Sequence, residues 1–161
     1  MLNNPNLNAS IKININQIDK FEYLKNFVSK INLGDGRITM KDFKTLWNES
    51  VFIRSNEIEF LNDIDGKKLV GEVTFNFEDI EKFFRYFQIK RNYRDVFDKI
   101  RLDFVYDLTL DKLTMNNLKI DNKSFKKIDN FINQYNKSKN NLLNKVTIRN
   151  FIKEFFRVYA G

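Results

Sequence analysis

The stretch at residues 35–44, DGRITMKDFK, has a near copy at 111–119, DKLTMNNLK. Each begins with an acidic turn residue, enters a Thr-Met pair, and continues with two polar residues, a large apolar residue and a lysine. Strict strand alternation allows only one polar residue after the methionine, so the sequence predicts a β-bulge or bend at 41–42 and at 116–117. Both stretches are therefore predicted to be a tight turn that leads into an outgoing, bulged strand.

The pattern of apolar residues predicts a mixture of strands and helices around these two turns. Alternation with a period of two predicts strands over 11–15, 37–46, 68–77, 100–109 and 113–120. Helical spacing of apolar residues predicts helices over 19–31 and 79–88, and further helices within 123–160. Asp35-Gly36 and Asp65-Gly66 are dipeptides that favour hairpin turns.

The fold class that follows is α+β, in one domain over 1–161. We expect a twisted or curved antiparallel sheet of about six to seven strands, with amphipathic helices packed mainly on one face. Two explanations of the repeated stretch stay open. The chain contains an internal duplication of a strand–helix–strand unit, over 10–46 and 68–120, or two amphipathic hairpins are similar by coincidence.

The composition excludes several kinds of chemistry. Cysteine and histidine are both absent, so no thiol or imidazole nucleophile, base or zinc ligand is available. Residues 61–72 resemble a calcium loop in spacing, but Leu61 stands where the first carboxylate ligand is needed. We therefore expect no enzyme, no metal site and no cofactor.

The net charge of +7 permits an anionic partner. The sequence offers one candidate patch for an anionic ligand: Lys90, Arg91, Arg94, Lys99 and Arg101. A solvated connecting segment explains the same residues. No nucleic-acid-binding motif is present, so nucleic acid is not an expected partner.

A set of phenylalanines is the candidate apolar groove or core. Its members are Phe75, Phe77, Phe83, Phe84, Phe87, Phe104, Phe151, Phe155 and Phe156. Packing of helices onto the sheet and the lining of a groove for an acyl chain both require apolar residues on one face. The sequence does not separate the two uses.

The second half of the chain contains three runs that carry a family resemblance: GEVTFNFEDIEKFFRYFQI at 71–89, YRDVFDKIRLDFVYDLTLDKLTMNNLKIDN at 93–122, and LLNKVTIRNFIKEFFRVYAG at 142–161. Through them, residues 68–161 resemble the C-terminal region of AsmA-like bacterial envelope proteins. The N-terminal third looks like a preceding repeat of the same kind of sheet.

The resemblance implies a role in phospholipid transport and outer-membrane maintenance, on the periplasmic side of the inner membrane. It implies a curved sheet with an apolar groove, and neither catalysis nor a cofactor. This chain lacks the family's membrane anchor and most of its sheet, so we expect a C-terminal piece that is soluble alone.

The expected partners are a phospholipid, which the resemblance implies, or an acidic protein, which the positive net charge permits. An unpaired edge near 11–15 would favour a homodimer. The alternative function is a free-standing protein-interaction module whose basic surface binds an acidic partner.

Overall fold

The computed structural model describes residues 8–17, 23–63, 66–138 and 145–161. Its centre is one antiparallel sheet of seven strands, in which the order of strands in the sheet is the order in the chain. The strands are β1 (Ala9–Gln17), β2 (Leu24–Gly34), β3 (Arg37–Trp47), β4 (Val51–Asp63), β5 (Gly66–Phe77), β6 (Lys99–Asp107) and β7 (Lys112–Ile120). Each strand thus pairs with its sequence neighbour.

Among the described residues, three α-helices accompany the sheet: α1 (Ile80–Phe87), α2 (Lys126–Lys137) and α3 (Lys145–Ala160). A short 3₁₀ helix, Arg91–Tyr93, follows α1. Asp79 caps α1, since its carboxylate accepts a hydrogen bond of 2.8 Å from the backbone N–H of Lys82. This architecture confirms the α+β class, the antiparallel sheet and the number of strands expected from the sequence.

Both bulges predicted from the repeated stretch are present. Between β2 and β3 the pairing passes from Lys30–Lys41 to Val28–Lys44, which leaves one extra residue on β3, and Asp42 there has a φ of 53°. Between β6 and β7 it passes from Arg101–Lys119 to Asp103–Asn116, with Asn117 at a φ of 50°. Asp and Asn tolerate this left-handed conformation better than other residues that carry a Cβ.

The helix predicted over 19–31 is wrong, because residues 24–31 belong to strand β2; residues 19–22 lie outside the described residues. A bulge explains the error. Asn26 has a φ of 54° and adds one residue to β2 between the pairs Lys25–Leu46 and Val28–Lys44. The apolar residues before and after it are consequently three and four positions apart, which imitates the spacing of a helical stripe.

Strand β4 is an element that the sequence pattern did not predict. Its pairing with β5 passes from Arg54–Thr74 to Ile58–Gly71, so β4 also contains an extra residue. Gly71 faces this irregularity, where a Cβ would lie 2.9 Å from the carbonyl oxygen of Glu57. The absence of a side chain at position 71 lets the two strands pair there.

The two halves of the proposed duplication differ in their elements. Residues 10–46 form strands in the described part, without the predicted helix, whereas 68–120 include helix α1 between β5 and β6. The outgoing strands β3 and β7 still share the bulge at equivalent positions. Internal duplication stays a prediction.

The helices lie at one end of the sheet, called here the helical end, where β3 ends, β4 begins and β5 ends. Trp47 of β3 stacks on Phe87 of α1 at 5.4 Å between ring centroids and makes an edge contact with Phe83. On α3, Phe156 packs against Phe84 and Phe97. The buried core therefore sits between the helices and the helical end of the sheet.

Helix α2 closes the outer edge of the sheet at β7. The side-chain amide of Asn136 donates a hydrogen bond of 2.6 Å to the carbonyl oxygen of Met115 and accepts one of 3.0 Å from its N–H. These are the two backbone groups that a neighbouring strand would otherwise satisfy. A side chain thus takes the place of an eighth strand at this residue.

We expect Asp42→Val to lower the free energy of unfolding by about 1–2 kcal/mol, because a β-branched residue is strained at positive φ. Asp42→Gly removes the same carboxylate without the strain, so its stability should stay within about 0.5 kcal/mol of the parent chain. Urea denaturation of the three proteins measures both effects. Equal stability of the two variants would contradict the assignment of the bulge to Asp42.

Candidate functional site: the apolar face of the sheet

One face of the sheet is apolar from edge to edge. The pairing register places the following residues in one row across all seven strands: Ile11, Ile31, Met40, Ile58, Gly71, Phe104 and Met115. The next row contains Ala9, Leu33, Ile38, Phe60, Leu69, Tyr106 and Leu113. We call this side the apolar face and the other side the polar face.

The helices cover only part of the apolar face. The open apolar surface consists of large apolar residues of β1–β5 that lie outside the buried core and outside the shell packed against it: Ile11, Ile13, Ile15, Leu24, Phe27, Ile31, Leu33, Ile38, Met40, Phe43, Ile58, Phe60 and Leu69. They extend over β1–β5, mainly toward the hairpin turns opposite the helical end. Ile11 and Ile15 are exposed and the others are half-buried, so these side chains form a continuous apolar surface that neighbouring side chains cover in part. Contiguous apolar surface outside the core is a feature of interaction sites.

The side chains of the open apolar surface contact one another across strands. The rings of Phe27 and Phe43 meet edge to face with their centroids 5.4 Å apart. At the turn end, the hydroxyl of Tyr106 donates a short hydrogen bond to the carboxylate of Asp111. This bond raises the pKa of the Tyr106 hydroxyl above its usual range, and a smaller contribution comes from burial.

The phenylalanines proposed from the sequence as a groove or a core lie in or against the core. Phe83, Phe84, Phe87, Phe155 and Phe156 are buried between the helices and the sheet. The others, Phe75, Phe77, Phe104 and Phe151, are partly buried and pack against that cluster. The open apolar surface is made of other residues.

The basic residues proposed as an anionic patch are divided between separate environments. Arg94 is half-buried with its guanidinium 5.8 Å from the ring centre of Phe84, and it forms an ion pair of 3.1 Å with Glu81. Lys99 and Arg101 lie on the polar face of β6, and Arg101 is 3.5 Å from Glu72. Lys90 and Arg91 are exposed beside the 3₁₀ helix.

Sequence reasoning missed most of the open apolar surface because it assigned β2 to a helix and did not recognise β4. A usable signal was present in β4, where Val51 and Ile53 alternate before the bulge and Ile58 and Phe60 alternate after it. For β2, the alternation of Phe27, Ile31 and Leu33 begins only after Asn26. A prediction that allowed one bulge in each strand would have identified both β2 and β4 as strands.

Two features of the described part of the chain concern metal ions and membranes. Within it, no group of three or more acidic side chains converges to hold a metal ion. None of its helices combines the length and the apolar character needed to cross a bilayer.

Strand β1 forms the free edge of the sheet, since it pairs with β2 on one side and no described strand lies beyond it. Ile11 and Ile15 on this strand are exposed by 52% and 38%. In an antiparallel pair of two β1 strands centred on Ile13, Ile11 would face Ile15 and Lys12 would face Asn14 of the second copy. No like charges would oppose each other in this register.

We therefore expect a concentration-dependent dimer through β1, measured as molecular mass by light scattering after size exclusion. Ile11→Lys should shift the equilibrium to the monomer, because a lysine on an edge strand opposes pairing. Leu110→Lys, at an apolar residue exposed by 68% in the β6–β7 turn, is the matched control and should dimerise like the parent chain. A single-chain mass at every concentration would contradict the expectation.

Comparisons of this chain with protein-family models, with curated proteins and with solved structures return no match.

Proposed function

We propose that this chain is a non-enzymatic C-terminal module of an AsmA-like envelope protein, located on the periplasmic side of the inner membrane. In this proposal its open apolar surface binds the acyl chains of phospholipids, as part of the lipid transport that maintains the outer membrane. The observation that carries the proposal is the in-register extension of apolar residues over β1–β5, beyond the part of the face that the helices cover.

The dimensions of the open apolar surface support an acyl chain as ligand. Five strands spaced by about 4.8 Å give a width of about 20 Å. The acyl chains of one leaflet occupy half of a hydrocarbon core of about 30 Å, or about 15 Å. One chain therefore fits along the rows of apolar side chains without leaving the sheet.

The alternative is a free-standing interaction module that binds an acidic protein through a compact basic patch. Such a module would have a closed core, with Lys90, Arg91, Arg94, Lys99 and Arg101 together. Arg94 and Arg101 are instead engaged with Glu81 and Glu72. The lipid-binding proposal accounts for the open apolar surface, which the alternative leaves unexplained.

The first experiment is native mass spectrometry of the purified chain, with lipid extraction from the same sample. Phospholipid bound at a defined stoichiometry is the expected result. Titration with a fluorescent fatty acid, and its displacement by phospholipid, then gives the affinity. A lipid-free protein that binds no fluorescent fatty acid would contradict the proposal.

Two phenylalanines of β4 provide a matched pair of variants for this titration. The extra residue in β4 places Phe60 on the apolar face and Phe52 on the polar face, where Phe52 pairs with Leu46 and Asn76. Phe60→Ser should weaken binding of the fluorescent fatty acid by about tenfold, which corresponds to about 1.4 kcal/mol of lost apolar contact. Phe52→Ser should leave the affinity unchanged, and equal effects of the two substitutions would place the binding elsewhere.

A further inference from the structure

The polar face of β1–β3 places lysines directly opposite lysines. Lys12 of β1 pairs with Lys30 of β2, and Lys30 pairs with Lys41 of β3. We call these three residues the lysine row. Beyond the bulge at Asp42, on the same face, Lys44 pairs with Arg54 of β4.

This arrangement is unfavourable for the isolated chain. Residues directly opposite in an antiparallel pair have Cβ atoms about 4.5–5.5 Å apart, and like charges at that spacing are destabilising. The positive charge of Lys41 is compensated by Glu57, whose carboxylate lies 3.2 Å from the Lys41 ammonium. Within the described residues, Lys12, Lys30, Lys44 and Arg54 form no ion pair.

The rest of the polar face is arranged differently. On β5–β7, Asp107 pairs with Lys68 on one side and with Lys112 on the other. Arg101 faces Lys119 but lies 3.5 Å from Glu72, so that pair of cations has an acidic neighbour. Unbalanced positive charge is therefore concentrated on one side of the sheet rather than spread over it.

An open, polar groove of about 890 Å³ lies beside the lysine row. It is lined by Ser10, Asn32, Thr39, Lys41 and Glu57, among others, and no aromatic side chain of the described residues lines it. Nucleic acid bound as a single strand needs aromatic rings on which its bases stack. The lysine row offers donors to anionic oxygens without such a platform, and the groove beside it contains two acidic residues, Asp35 and Glu57, together with Arg37 and Lys41.

We propose that the lysine row is a docking surface for an anionic phospholipid bilayer, in which headgroup phosphates lie between the facing ammonium groups. Lysine is a compact charge with rotatable donors, and it suits mobile phosphates better than the fixed geometry of a protein partner. A protein interface would also need a buried aromatic or apolar anchor. The neighbouring row on this face contains Ser10, Asn32 and Thr39 instead.

This surface and the open apolar surface lie on opposite faces of the sheet, so the docking proposal does not rest on the binding of acyl chains. Either one can fail while the other holds. Vesicle binding tests the docking of the lysine row on a bilayer, and fluorescent fatty acid binding tests the binding of acyl chains to the open apolar surface.

The test is sedimentation of the full chain with vesicles of phosphatidylcholine alone and of phosphatidylcholine mixed with phosphatidylglycerol. We expect binding only to the anionic vesicles, and loss of binding as salt is raised. Lys12→Gln combined with Lys30→Gln should reduce the partition coefficient about 25-fold, at about fivefold per lysine. Lys126→Gln combined with Lys127→Gln, at two exposed lysines of α2, removes the same charge and should leave binding unchanged.

A thermal melt without vesicles supplies the second readout. Removal of Lys12 and Lys30 should raise Tm at low ionic strength, and the gain should disappear in high salt, because the repulsion between the facing lysines is screened. Equal binding to neutral and anionic vesicles would overturn the proposal. So would an equal loss of binding in the two double variants, or a preference of the parent chain for a single-stranded oligonucleotide over anionic vesicles.

Discussion

The structure depends on keeping apolar side chains on one face of a sheet whose strands do not alternate without interruption. One extra residue in a strand sends every side chain beyond it to the opposite face. The chain contains such residues at Asn26, Asp42 and Asn117, each at positive φ, and a further one in β4. In each case the apolar residues on both sides of the bulge point to the same face. Each bulge therefore brings apolar residues that do not follow strict alternation in the sequence onto the same face of the sheet.

The helical end and the open apolar surface are two separate regions of the sheet. Trp47 marks the boundary, since its ring contacts Phe83, Tyr86 and Phe87 of α1. Beyond it the helices supply the buried aromatic cluster that stabilises the chain. Strands β1 and β2 continue the sheet from this core through backbone hydrogen bonds, and none of their described residues belongs to the apolar core or to the shell packed against it. The buried apolar cluster therefore lies with the helices, and the open apolar surface lies outside it.

The sequence predicts the elements in which an alternating or helical run can be followed, including β3 and β7, whose bulges were themselves predicted. Strands β1, β3, β5, β6 and β7 and helix α1 were all expected close to their observed bounds. Strand β2 was assigned to a helix because Asn26 changes its spacing, and β4 was overlooked. The lysine row could not be predicted, since Lys12, Lys30 and Lys41 face each other only once the pairing register is known. The alternation within one strand can be read from the sequence. Which residues face each other on neighbouring strands is known only from the pairing register.

The amide of Asn136 makes the two edges of the sheet different from each other. It occupies the outward backbone groups of Met115, and helix α2 packs beside the same strand, so within the described residues the β7 edge is partly covered while no strand or helix lies beside the free edge of β1. Two copies joined through β1 would pair these two edges with each other, and the partly covered β7 edges would lie at the outside of the pair. A sheet with two free edges could instead extend into a fibre. The hydrogen bonds of Asn136 thus oppose the pairing of a further strand with β7 at Met115, whereas β1 has no such side chain beside it among the described residues.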